Sequence, residues 1–141
     1  MESNSDCMSF QINPRLLNSS IEVGSCGGCR VLLKNNRFFP WIIIVPEVGE
    51  GVEDLHQLSE ARFLEVMSVV RKVSQFVEDY FSPEKLNVAC IGNQVRQMHI
   101  HVVGRSPDDA AWPGVVWSSD AKEPYSKERL SEVSSALLER L

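Results

Sequence analysis

Hydrophobic and polar positions along this chain follow two periods. The longer one starts after Ser59, where apolar side chains recur at Phe63, Leu64, Met67, Val70, Val73, Phe76, Val77 and Tyr80. That spacing lays a stripe along one face of an α-helix. Ser59 has the chemistry of an N-cap, Glu60 stands in the first turn, and Ser82-Pro83 stops the run. The pattern predicts a helix over 59–81. A second helical stretch, 126–141, is charged on one side and apolar at Leu130, Val133, Leu137 and Leu138.

The shorter period predicts strands. Arg30–Lys34 (RVLLK) reads as one, and Asn35-Asn36-Arg37 breaks it. Trp41–Val45 is a continuous, mostly β-branched run, expected for a strand buried on both faces. The short polar turn between these two suggests an antiparallel hairpin. Leu86–Ile91 and Met98–Val103 are further strands, with a polar turn over Gly92–Arg96 between them. Residues 10–23 look irregular apart from a short strand near Ile21–Val23. Ser25–Gly28 is a turn, and Ser106–Pro113 a loop. Strands, helix, strands, helix is the order of an α+β fold with an antiparallel sheet of about five strands.

Length and charge narrow the class. The 141 residues fit one domain over 1–141 with one real core. Hydrophobic residues make up 43% and charged residues 23%, a globular balance. The formal net charge of -5 provides no global field for a polyanion, which argues against a nucleic-acid partner. The N-terminus carries no basic and apolar leader pattern, and the longest apolar run is far below a membrane span of about 20 residues. A cytoplasmic protein without a membrane partner is expected.

Candidate chemistry gathers in Gln97-Met98-His99-Ile100-His101-Val102-Val103. In a strand, Met98, Ile100 and Val102 would face the core. Gln97, His99 and His101 would then line the other face at intervals of about 6.6–7 Å. Imidazole is a nucleophile and a proton carrier near neutral pH, so such a row can attack phosphorus and stabilise its oxygens. The Gly92-Asn93-Gln94 turn can offer backbone N–H groups to phosphate. By pattern alone, the pair also reads as two histidines on a wet strand face, or as two ligands of a metal site.

Gly92–Arg105, GNQVRQMHIHVVGR, resembles the signature of the histidine triad (HIT) family, with Gln97, His99 and His101 at its three places. Trp112-Pro113-Gly114 resembles the Trp-Pro pair of the family's hydrolase branch, and Ile44-Val45-Pro46 the end of its hairpin. The recognisable core runs from about 30 to 114, and the Gln at the first place resembles that of small bacterial HIT proteins. The resemblance implies a homodimer that binds a nucleotide and cleaves at its α-phosphate, as a nucleoside phosphoramidase, dinucleoside polyphosphate hydrolase or nucleotidyl transferase. It implies His99 as nucleophile and His101 as its assistant at the phosphate or leaving group. Asn35, or alternatively Asn36, would lie on the ribose, and Asn87 with Gly92, Asn93 and Gln94 at the phosphate oxygens. Gln97 departs from the pattern, since an amide carries no proton at neutral pH. The alternative is thus a nucleotide-binding protein with little or no turnover.

No cofactor is implied. Cys26-x-x-Cys29 is half of a zinc site by spacing, but Gln97 and His56 are poor partners for it, and two buried thiols are the favoured reading. Arg105 shares the parity of the His pair and is the better phosphate candidate of the two flanking arginines, Arg96 being the other. Trp112 and Trp117 read as packing residues, with a lid over the site as the alternative.

Overall fold

The computed structural model describes residues 10–141. Its centre is an antiparallel sheet in the order β1-β2-β3-β5-β4, built from β1 (Ser20–Cys26), β2 (Cys29–Lys34), β3 (Trp41–Pro46), β4 (Lys85–Ala89) and β5 (Ile100–Arg105). Three helices accompany it: α1 (Pro14–Leu17), α2 (Glu60–Phe81) and α3 (Lys127–Arg140). This is the predicted α+β arrangement with five strands. None of the described helices is long and apolar enough to cross a membrane.

All six residues of β3 are buried, because both faces of the sheet are covered. Ile42 and Ile44 join Val31, Leu33, Ile100 and Val102 under α2 and α3. Trp41, Ile43 and Val45 point the other way. They pack with Leu32, Val103, Phe39, Val116 and the residues Ile12 and Leu16 of the N-terminal segment. Continuous β-branched composition suits a strand that needs apolar contacts on both sides.

α2 starts where its signals place it, with the Ser59 hydroxyl accepting from the Arg62 N–H at 3.1 Å. Its buried stripe is rotated from the predicted one: Val66, Val69, Val70, Val73, Phe76 and Val77 face the sheet, and Leu64 is 63% exposed. The two stripes share their C-terminal half. At the N-terminal half, compact valines fit closest to the sheet and the bulkier Phe63 and Met67 flank them. In α3, Val133 and Leu137 are buried, whereas Leu138 is largely exposed.

Three expectations are corrected. The segment 10–23 holds α1 and most of a seven-residue β1, not a short strand in irregular chain. The first turn is centred on Gly27 and Gly28, both at positive φ (55° and 72°), with Cys26 paired to Cys29 across it. Such a two-residue hairpin turn needs the left-handed region at both positions, which glycine enters without strain. β5 begins at Ile100 instead of Met98, so Gln97 and His99 precede the strand and the three-residue row on one strand face does not form.

The far end of β5 is fastened by an ion pair. Arg105, 2% exposed, donates from Nε and Nη2 to the Asp109 carboxylate (2.8 and 3.1 Å) and from Nη1 to Asn87 Oδ1 (2.8 Å). Asp109 also accepts from the N–H groups of Ser106, Ala111 and Trp112. Burial raises the carboxyl, but the Arg105 fork and the N–H groups of Ser106 and Ala111 outweigh it and bring the Asp109 pKa from 3.8 to about 2. A depressed folded pKa contributes stability that is present above the unfolded value and lost as pH falls towards the folded one. Asp109→Asn leaves Arg105 buried without its charge partner and should cost about 3 kcal/mol at pH 7. In denaturant titrations the wild-type advantage should shrink as pH is lowered from about 4 to about 2. A gap that stays constant over that range would contradict it.

Candidate active site

The sheet face opposite α2 and α3 carries the chemistry. His101 of β5 lies opposite Ile43 of β3 and shares this face with Trp41. Its ring stands edge-on to Trp41 (centroids 5.8 Å apart) and to Trp117 (5.2 Å). The indole N–H of Trp41 donates to His101 Nδ1 at 3.0 Å. Nδ1 is therefore an acceptor, and the ring's proton sits on Nε2. Burial, with the neighbouring His99 and the Lys34 ammonium adding to it, pushes the His101 pKa down from 6.5 to about 3.

His99 adopts the opposite tautomer. Its Nδ1 lies 2.7 Å from the Gln97 carbonyl oxygen. A carbonyl can only accept, so Nδ1 carries the proton and the Nε2 lone pair is available. The two imidazoles are 4.9 Å apart at 72°, closer than an ideal strand would hold them because His99 lies before the strand. They are 6% and 7% exposed. The wet-face reading of this pair is thereby corrected, since α1, Trp117 and the 3-10 turn Val116–Ser118 cover this side.

The Gln97 side chain makes its hydrogen bonds to the N-terminal segment. It accepts from Asn13 N–H (2.8 Å) and donates to the Gln11 carbonyl (2.9 Å). Gly92, at φ 64°, turns the chain ahead of it, with Asn93 exposed on that turn. Gln94 accepts from Arg15 at 3.3 Å. A cavity of about 970 Å³ adjoins Gln97 and Met98 and is walled by Phe10, Gln11, Asn13, Arg96 and the 47–53 loop. Neither imidazole lines it.

The polar residues implied for the nucleotide are placed more variously. Asn35 Oδ1 accepts from Tyr125 N–H (2.9 Å). Asn36 accepts from Phe38 and Glu123 N–H groups and donates to the Ala121 carbonyl. Both asparagines thus tie the 121–125 segment down beside the site. Asn87 holds Arg105, and Arg105 is buried and charge-paired with Asp109, which argues against it as a phosphate contact.

Two residues close to the site escaped the sequence reading. Lys34 is half-buried, donates to Ser19 Oγ (2.9 Å) and lies over the Trp41 ring at 4.9 Å. Burial, then the charge of Lys122, lowers its pKa. Trp41 itself gives no chemical signal within an apolar run. Trp117 packs against His101, whereas Trp112 lies over Arg105 instead.

Cys29 is fully buried and its thiol pKa is pushed up to about 11, mainly by burial. Cys26 is half-buried beside Lys72. His56 sits exposed in the 3-10 turn Leu55–Gln57. Among the described residues, no group of three or more His, Cys, Asp or Glu side chains is placed to hold a metal.

A family model described as the HIT domain matches residues 18–108. The chain belongs to the histidine triad family. A histidine triad protein from Marinobacter aquaeolei VT8 is 34% identical to it, with 94% of this chain and 98% of that one covered and a TM-score of 0.87. A histidine triad protein from Sinorhizobium meliloti 1021 is 30% identical, covering 95% and 98%, with a TM-score of 0.89. A hypothetical histidine triad nucleotide-binding protein from Sulfolobus tokodaii strain7 shares the fold at 18% identity and a TM-score of 0.62, covering 90% and 86%. No curated protein matches.

Burial, with His99 and Lys34 nearby, keeps the His101 ring neutral around neutral pH. In a histidine-resolved NMR titration, the His101 ring should show no protonation from pH 8 down to pH 5, because its pKa lies at about 3. A midpoint near 6.5 would contradict the buried, Trp41-bonded ring.

Proposed function

We propose that this HIT protein cleaves at the α-phosphate of a nucleoside phosphoramidate or a dinucleoside polyphosphate, through a covalent nucleotidyl group on His99. The supporting observation is the pair of opposite tautomers: an Nε2 lone pair on His99 beside an Nε2–H on His101. In the first step His99 Nε2 attacks phosphorus. The P–N bond forms as the bond to the leaving group breaks, and the electron pair leaves with that group. The His99 ring then carries positive charge, which the Gln97 carbonyl stabilises through Nδ1–H. His101 donates its Nε2–H to a phosphoryl oxygen and keeps its proton. In the second step water attacks the same phosphorus and gives up a proton to solvent, the P–N bond breaks with its electron pair returning to His99 Nε2, and a nucleoside monophosphate is released.

A polyphosphate leaving group departs as an anion and needs no proton from the protein. An amine leaving group takes its proton from solvent. The Gly92–Gln94 turn, with Gly92 at positive φ and Asn93 exposed, would offer backbone N–H groups to phosphate oxygens. Asn35, whose oxygen is committed to Tyr125, would turn its Nδ2 amide to a ribose hydroxyl. A homodimer is supported by the free edge of β4 and by Val88 there, 49% exposed.

Nucleotide binding with little turnover is the second reading, favoured by the near-complete burial of both imidazoles under the Trp117 layer. The test is single-turnover reaction with a panel of adenosine phosphoramidates and dinucleoside polyphosphates, followed by mass spectrometry. A nucleotidyl adduct should localise to His99, and His99→Ala should abolish cleavage, a loss of at least 10³-fold for removal of a bond-forming nucleophile. His101→Ala should retain more activity, since it loses one hydrogen bond to the phosphoryl group. Wild-type-like cleavage by His99→Ala removes the covalent mechanism. Nucleotide bound but never cleaved by the wild-type protein selects the second reading.

A further inference from the structure

Gln97 occupies the first place of the HIT signature without the imidazole that defines it, and its side chain has found other work. The residue lies ahead of β5, outside any strand. Outside the sheet ladders, no backbone–backbone hydrogen bond among the described residues involves residues 92–99. The side chain supplies the fixation that a ladder would. Its Oε1 accepts from Asn13 N–H at 2.8 Å and its Nε2 donates to the Gln11 carbonyl at 2.9 Å. Donor and acceptor two residues apart on one extended segment is the pattern by which a neighbouring strand is read. A primary amide presents both groups side by side on one edge. A neutral imidazole carries its donor and acceptor on different sides of the ring and cannot make this pair of bonds to one segment.

The clamped segment is itself well anchored. Asn13 Oδ1 caps α1 by accepting from Arg15 N–H at 2.9 Å, and Ile12 and Leu16 are buried with Trp41 and Val103. At the other end of the same residue, the Gln97 carbonyl accepts from His99 Nδ1–H. We propose that Gln97 is a positioning residue: by clamping residues 11–13 it holds the carbonyl that selects the His99 tautomer, which makes the N-terminal segment part of the active site. The functional weight of that tautomer rests on the reading of His99 as nucleophile; the clamp itself is a property of the free protein.

Imidazole ¹⁵N NMR on the full chain without substrate reads the tautomer directly. Asn13 has φ -54°, a value proline adopts, so Asn13→Pro deletes the N–H that Gln97 accepts while keeping the backbone course. Asn13→Ala deletes only the α1 cap and serves as its control. Wild type and Asn13→Ala should show His99 protonated at Nδ1. In Gln97→Ala and in Asn13→Pro, 84 residues away in sequence, the ratio of the Nδ1–H to the Nε2–H form should fall at least tenfold. The double variant should show no further fall, since both changes break one device. Should Gln97→Ala fail to fold, Asn13→Pro alone decides. A wild-type tautomer ratio in Asn13→Pro overturns the proposal. The readout needs no turnover, so it stands or falls separately from the hydrolase reading.

Discussion

Two imidazoles buried side by side on a covered sheet face constrain everything around them. Burial holds the His101 ring neutral, and a neutral imidazole has one donor and one acceptor nitrogen to satisfy. The molecule resolves this with two hydrogen bonds of opposite sense: a donor, the Trp41 indole, against His101, and an acceptor, the Gln97 carbonyl, against His99. These bonds assign the four ring nitrogens. They leave a lone pair on one Nε2 and a proton on the other, 4.9 Å apart between ring centres. The sheet register serves that arrangement: β3 brings Trp41 and β5 brings His101 to one face, beneath a layer of apolar side chains.

The covering layer explains why the chain needs its ends. The face above β3 and β5 would be apolar and wet without Ile12, Leu16, Phe39, Val116 and Trp117. Those residues come from an N-terminal segment, a post-β2 loop and a post-β5 loop, and polar side chains tie each in place. Gln97 clamps the first; Asn35 and Asn36 hold the 121–125 stretch. Arg105 and Asp109 close the turn after β5. Side chains that look like ligand contacts from the sequence are, in several cases, braces for this layer.

That division also marks what could be read beforehand. The long helix, the β2–β3 hairpin, the five-stranded α+β plan and the HIT family were legible, because capping residues, β-branched runs and the HIHVV block are local signals. The rotation of the α2 stripe was not, since Phe63-Leu64 and Val66-Val69 are equally periodic and only the distance to the sheet chooses between them. α1 was missed because four residues, Pro14–Leu17, are too few to show a period. Strand parity misplaced Gln97 and His99, because parity assumes a strand and β5 starts after them. The roles of Trp41 and Lys34 depend on cross-strand neighbours, which no local pattern records.

In the proposed reaction, phosphoryl transfer passes through His99 in two displacements. Each in-line displacement inverts configuration at phosphorus, so two give retention. The most direct measurement is the stereochemical course with a substrate made chiral at the α-phosphorus by sulfur and oxygen isotopes, hydrolysed in labelled water and analysed by ³¹P NMR. Two displacements through His99 predict net retention. Net inversion would mean a single direct attack by water, and would contradict the role given to the His99 lone pair.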